Sequence, residues 1–525
     1  MITSLRRSHR LAINRRFQTL CGVLVPDHSS LVEFSDASFS DFLLDEQVSE
    51  SVRSFIGWFA ATGGMPNELE NDQLVAMLGT KNSTRILQWL YFHAVSVGKT
   101  ARYREIRVTK DAIYDCTNVS AVEGRLTGIP RVSRGFLDEN LDLHQQCVAW
   151  SDSALGPLEY SSQSGFSKSR AVWPNSGGLL DLSRITRLVT EWISRRTTST
   201  SSRVVYYLIL LLGVVVSWLL LSVFRLRGPG PKVALLPLGN IWVFETVSAD
   251  AASRYITLIR SNSSSQISLM VYDLLPIHLP DNFLPIAVEH YVHQLRLMTH
   301  CKTLLTDSLH LPPIVRGALQ MMGGLTIPAI VPRPLSINPK WLTSSVVKPP
   351  PELHLLQIGA LETRKNHHFA IAAFSQLQIG GRRYSIVGKK RTAGRLISDL
   401  IDGVTASSGF VDFRHGLSDE DIIQLSRSVT AMVYPSIAEG YGLPILEGLA
   451  MGLPVIASDI PPHRQFGDIG GIVYFDPNSV MSLKHAMELV ADPDENWKLR
   501  AAIQFDRIPA NPQQWARETR LALEA

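Results

Sequence analysis

Two glutamates, Glu439 and Glu447, bracket the stretch Glu439-Gly-Tyr-Gly-Leu-Pro-Ile-Leu-Glu447. Pro444 suits the first turn of a helix, and Gly440 and Gly442 leave a side-chain-free approach to backbone N–H groups, where the helix dipole favours phosphate. Glu447 sits about one turn into that helix and leans back toward its N-terminus, and Glu439, in the loop, faces the same pocket. Carboxylates repel phosphate, so their targets are hydroxyls, those of a sugar for one and of a ribose for the other. A sugar nucleotide carries both. The compensating positive charge lies in Arg364-Lys365-Asn366, at the end of a strand, where charge-assisted hydrogen bonds of about 1.5–3 kcal/mol each hold a diphosphate. Taken singly, the glutamates read as a loop residue and a helix-dipole partner, and the two cations as surface charges. Their spacing, and a strand end followed by a helix, favour a ligand site.

The elements that must position these groups alternate between short apolar runs and helical periodicity. Strands are expected over 353–358, 384–387, 431–434 and 454–457, and helices over 367–377, 395–401 and 444–451. Ser418 reads as a helix cap with Asp421 three residues on. This is the pattern of a parallel sheet. A first α/β block runs from Ala112 to about Pro334, and the proline-rich stretch 348–351 links it to the second. Before both, residues 1–100 show two helical patches, 67–78 and 83–97, and no chemistry.

Residues 353–477 resemble the donor domain of retaining glycosyltransferase family four. The resemblance is carried by Gly359-Ala-Leu-Glu-Thr-Arg-Lys-Asn366, Gly416-Leu-Ser-Asp-Glu420, Tyr434-Pro-Ser436, Glu439 through Glu447, and Gly452-Leu-Pro-Val-Ile-Ala-Ser-Asp459. Tyr114-Asp-Cys-Thr117, Thr127-Gly-Ile-Pro-Arg131 and Val271-Tyr-Asp-Leu-Leu-Pro-Ile277 resemble the acceptor half of mannosyl- and rhamnosyl-type members. The resemblance implies an α/β chain of GT-B fold, with two Rossmann-like domains facing a cleft, a nucleoside-diphosphate sugar as co-substrate, retention of configuration, and no obligatory metal. Carried over by position, Lys365 and Arg364 would grip the diphosphate, Glu439 the sugar hydroxyls and Glu447 the ribose, which makes Lys365, Arg364 and Glu439 the catalytic candidates. Gly128 would lie in an amino-domain loop near the donor phosphates. Gly359, Gly440, Tyr441, Gly442 and Leu443 complete the donor-binding set. The family often has histidine where this chain has Tyr272, and glutamate where it has Gln465. The expected organisation is an N-terminal extension over 1–105, mostly helical or irregular, an acceptor domain over 106–335 with a membrane-associated helical insertion at 180–228, a donor domain over 350–508, and a helix over 509–525 returning to the first domain.

Bulk properties limit the alternatives. A chain of 525 residues with 45% hydrophobic and 19% charged residues is globular and large enough for two or three domains, and a net charge of +4 is too small for a nucleic-acid partner. Arg6, Arg7, Arg10, Arg15 and Arg16 precede any acidic residue, which reads either as an arm against an anionic surface or as a solvated, disordered start. The four scattered cysteines, and the lack of a signal-peptide core, point to the cytoplasm. Residues 204–224 carry no charge and would be about 31 Å long as a helix. A helix lying in the cytoplasmic leaflet is the favoured reading, with a buried helix and a true span as rivals. Asp419-Glu-Asp421 and Asp492-Pro-Asp494 spell D-x-D, but as a helix start and a turn they do not call for a metal. His367, His368, His415 and His463 lack spaced partners, and Asp273 reads as a turn cap before Pro276. The activity that the resemblance implies is hexose transfer, mannose or rhamnose first, to a lipid-linked or polysaccharide acceptor at the cytoplasmic membrane. The rivals are a non-catalytic GT-B scaffold and a GT-B isomerase or phosphorylase.

Overall fold

Apolar runs joined by crossover helices return each strand in the same direction and so build parallel sheets. A computed structural model describes residues 7–28, 35–96, 105–117, 129–150, 158–160, 233–323, 326–343, 346–390 and 395–525. Gly128 and the insertion expected at 180–228 lie outside the described residues. The chain divides into two compact units: Met1–Ser120 with His144–Asn240 and Arg254–Ser265, and Ala121–Leu143 with Ile241–Ser253 and Gln266–Ala525.

In the first unit, helices Arg7–Leu24, Asp36–Leu44, Glu50–Thr62, Glu68–Gly79 and Ser83–Ser96 precede the sheet. The last two answer to the patches read at 67–78 and 83–97. The first three were not read one by one, although a mostly helical or irregular extension was expected there, and the basic start is helical from Arg7 onward. Its apolar face is packed, with Phe17 edge-on to Phe39 and Phe42 at ring separations of 4.9 and 5.2 Å. Arg16 is buried and donates to Ala60 O (2.8 Å) and Ala61 O (3.2 Å). Those carbonyls belong to the last turn of Glu50–Thr62, which has no partners of its own within the helix, so a cation there both caps and complements the dipole. Five strands follow: β1 (Glu105–Thr109), β2 (Ile113–Asp115), β3 (Cys147–Trp150), β4 (Leu158–Tyr160) and β5 (Val233–Pro237). They lie in the order β1-β5-β4-β3-β2, with β4 antiparallel to both neighbours. Arg254 ties the helical extension to this unit, donating to Met65 O and pairing with Glu70 at 3.1 Å.

The second unit carries β6 (Asn240–Val243), β7 (Gln266–Val271), β8 (Thr303–Thr306) and β9 (Ala329–Pro332) side by side in that order, with β7, β8 and β9 parallel. It also holds a six-stranded parallel sheet of β10 (His354–Ile358), β11 (Arg383–Val387), β12 (Val411–Arg414), β13 (Ala431–Tyr434), β14 (Val455–Ser458) and β15 (Ile472–Phe475). Their order, β12-β11-β10-β13-β14-β15, is that of the doubly wound dinucleotide-binding fold. Leu355, Ile386, Val433 and Ile456 meet Phe374 and Met487 of the flanking helices in one core. β12 and β15 had no expected strand. The strands expected at 353–358, 384–387, 431–434 and 454–457 appear within a residue of those bounds, and Ser418 and Asp421 form the capping box. Asp492, read as part of a turn, caps the helix Pro493–Ala501 instead. The terminal helix Pro512–Glu524 packs on Ile129–Glu139, with Trp515 edge-on to Phe136 at 6.2 Å and Arg520 paired with Asp142 at 2.8 Å.

Two histidines of this unit are fully buried. His367 Nε2 donates to Ala360 O (3.2 Å), His463 Nδ1 donates to Ser458 O (2.8 Å), and burial pushes both pKa values down from 6.5 to about 4. Their folded values lie below the unfolded one, so the unfolded chain takes up the extra protons between pH 6.5 and 4. The stabilisation is complete above about 6.5 and is lost as pH falls through that window. Urea unfolding of His367→Gln is expected to lose stability less steeply on acidification than the unaltered protein, by up to about 1.4 kcal/mol per pH unit. Parallel pH profiles for the two proteins would refute the assignment.

Candidate active site

β10 and β13 are neighbours at the centre of the six-stranded sheet, where the strand order reverses and a crevice opens at the carboxyl ends. The chain leaving β10 passes Gly359 and turns through Thr363–Lys365, and Asn366 then takes a left-handed conformation (φ 57°) to enter the helix His367–Ser375. The chain leaving β13 carries Glu439. Lys365 Nζ reaches Glu439 Oε1 at 2.5 Å and the Tyr434 hydroxyl at 2.9 Å, while an Arg364 terminal nitrogen reaches Glu439 Oε2 at 2.8 Å. The other terminal nitrogen of Arg364 pairs with Glu362 at 2.9 Å. Buried partners fix these groups: Tyr384 OH donates to Gln357 Oε1, and Gln357 Nε2 donates to Lys365 O at 3.0 Å. Gly359 lies along the Lys365 stem, and a Cβ there would stand 3.6 Å from Lys365 Cδ, an ordinary contact.

Burial pushes the Glu439 carboxyl up, but Lys365 and Arg364 outweigh it and hold this group far below the usual carboxylate range. Burial pushes Lys365 below its ordinary value, and Glu439 only partly offsets that. The result is an ionised carboxylate clasped by two cations at the carboxyl end of the sheet, a group that can accept hydrogen bonds beside cations that can meet negative charge.

Gly440 and Gly442 are required for different reasons. A Cβ on Gly440 would stand 2.1 Å from Tyr272 O, so only glycine lets the two loops approach. Gly442 adopts φ 106° and caps the helix Leu443–Ala450, with Leu443 first and Pro444 second. No acidic residue lies in the first turn of that helix. Tyr441 between the glycines donates its hydroxyl to Leu335 O at 2.9 Å. Glu447 is buried one turn in, and its Oε1 meets a terminal nitrogen of Arg131 at 2.8 Å.

The sequence-read residues Gly359, Arg364, Lys365, Glu439, Gly440, Tyr441, Gly442, Leu443 and Glu447 therefore fall on two adjoining strand-to-helix connections. Gly128 is outside the described residues. Asp273 caps its turn as read, accepting from Leu275 N at 3.0 Å, and it also lies within the field of Arg364 and Glu439. Tyr272 donates to Phe244 O at 2.8 Å, and Gln465 Nε2 donates to Tyr441 O at 3.3 Å. His368 and His415 are exposed. Sequence reasoning missed Tyr434 and Glu362 as partners of the cations, and it named Arg131 only within a motif of the acceptor half, not as the partner of Glu447. Nothing local could have linked Arg131 to a glutamate 316 positions away.

Residues 343–504 match the sequence profile of the family described as "Glycosyl transferases group 1". The chain is 31% identical over 148 residues to O-antigen chain mannosyltransferase B of Escherichia coli, covering 28% of this chain and 38% of that one. It is 25% identical over 260 residues to O-antigen chain mannosyltransferase RfbU of Salmonella typhimurium, covering 48% of this chain and 70% of that one. Of the first two curated relatives it matches, it spans only 38% and 14% of the length. Among solved structures, the trehalose-6-phosphate phosphatase N-terminal domain of Candida albicans superposes with a TM-score of 0.50 at 11% identity, covering 80% of this chain and 96% of that one, a likeness of fold alone. The strand order is that of a GT-B architecture, and the chain is similar to the group 1 glycosyltransferases over residues 343–504 and, over the shares given, to O-antigen mannosyltransferases.

Proposed function

We propose that the chain transfers a hexose from a nucleoside-diphosphate sugar to a lipid-linked or polysaccharide acceptor, with retention of configuration. The observation that carries this reading is the Lys365–Glu439–Arg364 cluster beside the bare backbone of Gly440 and Gly442. Mannose is the first choice of sugar because the matched relatives are mannosyltransferases, with rhamnose second. Breaking the bond between the anomeric carbon and the diphosphate oxygen builds negative charge on the leaving group. Arg364, Lys365 and the N–H groups at the start of Leu443–Ala450 are fixed where they stabilise that charge without reorganising. The acceptor oxygen attacks from the same face, and its proton passes to the departing phosphate, so no carboxylate serves as a nucleophile. Glu439 accepts from the sugar hydroxyls, and Glu447 accepts from those of the ribose. The membrane surface as the place of reaction rests on residues 204–224 of the sequence; among the described residues no helix is long and apolar enough to cross a membrane.

A thermal-shift panel of UDP, GDP and dTDP tests the reading. One of them is expected to stabilise the protein, by about 2.7 kcal/mol at 100 times its dissociation constant. Lys365→Ala and Glu447→Ala are each expected to weaken that response about tenfold or more in affinity. An unchanged response in both variants would remove the site from this position. The anomeric configuration of the glycoside formed, read by NMR, decides retention, and an inverted product would sink the same-face mechanism. Gly440→Ala is expected to lose nucleotide binding together with about 1–3 kcal/mol of stability, because its methyl group must displace the Tyr272 backbone.

A further inference from the structure

A carboxylate as deeply buried as Glu447 needs positive charge close by. Arg364 and Lys365 do not supply it, since their contacts go to Glu439 and Glu362. The nearby cation is Arg131, whose terminal nitrogen stands 2.8 Å from Glu447 Oε1. Arg131 is the third residue of the helix Ile129–Glu139, and a cation in a first turn works against the helix dipole. Its position is explained by what surrounds it. The second terminal nitrogen lies 3.9 Å from Asp419, which Lys340 approaches at 3.1 Å, and the guanidinium carbon lies 6.0 Å from the centre of the Trp341 ring. A planar guanidinium held on two sides presents its N–H groups in a fixed direction, so it also fixes the direction of the carboxylate that accepts from it.

We propose that Arg131 is a positioning residue for nucleotide recognition, which offsets the charge of Glu447 and orients its carboxylate so that the remaining lone pairs face the sugar hydroxyls of the nucleoside. The proposal rests on the reading of Glu447 as the ribose-binding carboxylate. Selectivity for those hydroxyls then depends on a residue that does not touch the ligand. A merely structural role for Arg131 would weaken all nucleotides alike. A positioning role removes the advantage that the hydroxyls confer.

The test compares the affinity of the stabilising nucleotide, GDP, UDP or dTDP, with that of its 2′,3′-dideoxy form, in the unaltered chain and in Arg131→Gln, Arg131→Lys and Glu447→Gln. The unaltered chain is expected to prefer the hydroxyl-bearing nucleotide about tenfold or more. Glu447→Gln and Arg131→Gln should both reduce that preference to about threefold or less, and Arg131→Lys should restore part of it. Loss of the preference in Glu447→Gln but not in Arg131→Gln would overturn the positioning role. Absence of any preference in the unaltered chain would instead overturn the ribose assignment beneath it. Ratios are read within each variant, so a general loss of stability does not mimic either result.

Discussion

The clasp of Glu439 by Lys365 and Arg364 is the interaction on which the site depends, and it exists only because β10 and β13 are adjacent. Three charged groups gathered out of water pay a large desolvation cost, which mutual attraction offsets only when the geometry is good and the remaining polar atoms have partners. The geometry is good, and apart from the Arg364 Nε the charged atoms of the cluster have partners. Each Glu439 oxygen has its own cation, Lys365 adds the Tyr434 hydroxyl, and Arg364 adds Glu362 and the Ala438 carbonyl. The charge that a ligand meets is therefore not a loose pair of basic side chains. It is a fixed pattern in which a carboxylate separates two cations.

The supports of this pattern run back into the sheet. Gln357 and Tyr384, on adjoining strands, tie the Lys365 backbone to β10 and β11. The left-handed Asn366 turns the chain sharply enough that Lys365 and the helix His367–Ser375 share one connection. On the β13 side, the two glycines do separate work, one by admitting the Tyr272 backbone and the other by supplying the positive φ that starts the next helix. Position in the crevice is thus determined by sheet topology, and the orientation of each group by hydrogen bonds to main-chain atoms.

Much of the carboxyl-terminal sheet was legible in the sequence because its signals are local. The apolar runs, the Ser418 capping box and the glycines around Tyr441 each reflect forces acting within a few residues. β12 escaped notice because Asp412 and Arg414 break its apolar run. The amino-terminal extension was less legible for a different reason. Arg16 reads as part of a basic arm until a helix 44 positions later presents its terminal carbonyls, and no spacing rule encodes that meeting. The same holds for Arg131 and Glu447. Individual residues of the site could be named from motif and spacing, but their pairing could not, since pairing is a property of the assembled sheet and its loops.

Two helices of the second unit begin in contrasting ways, and the contrast shows what the site leaves available. The helix Asp419–Ser426 opens with three acidic residues, Asp419, Glu420 and Asp421, which complement its positive end from within the chain. The helix Leu443–Ala450 opens with Leu443, Pro444 and Ile445, and its cap is a glycine with no side chain to accept from the free N–H groups. Both helices carry carboxylates, but Glu447 enters only after the first turn and engages Arg131, while Glu439 engages Lys365 and Arg364. Neither glutamate neutralises the positive end of the second helix. That end, unlike the first, has no acidic residue in its first turn, and the flanking carboxylates are balanced by cations of their own.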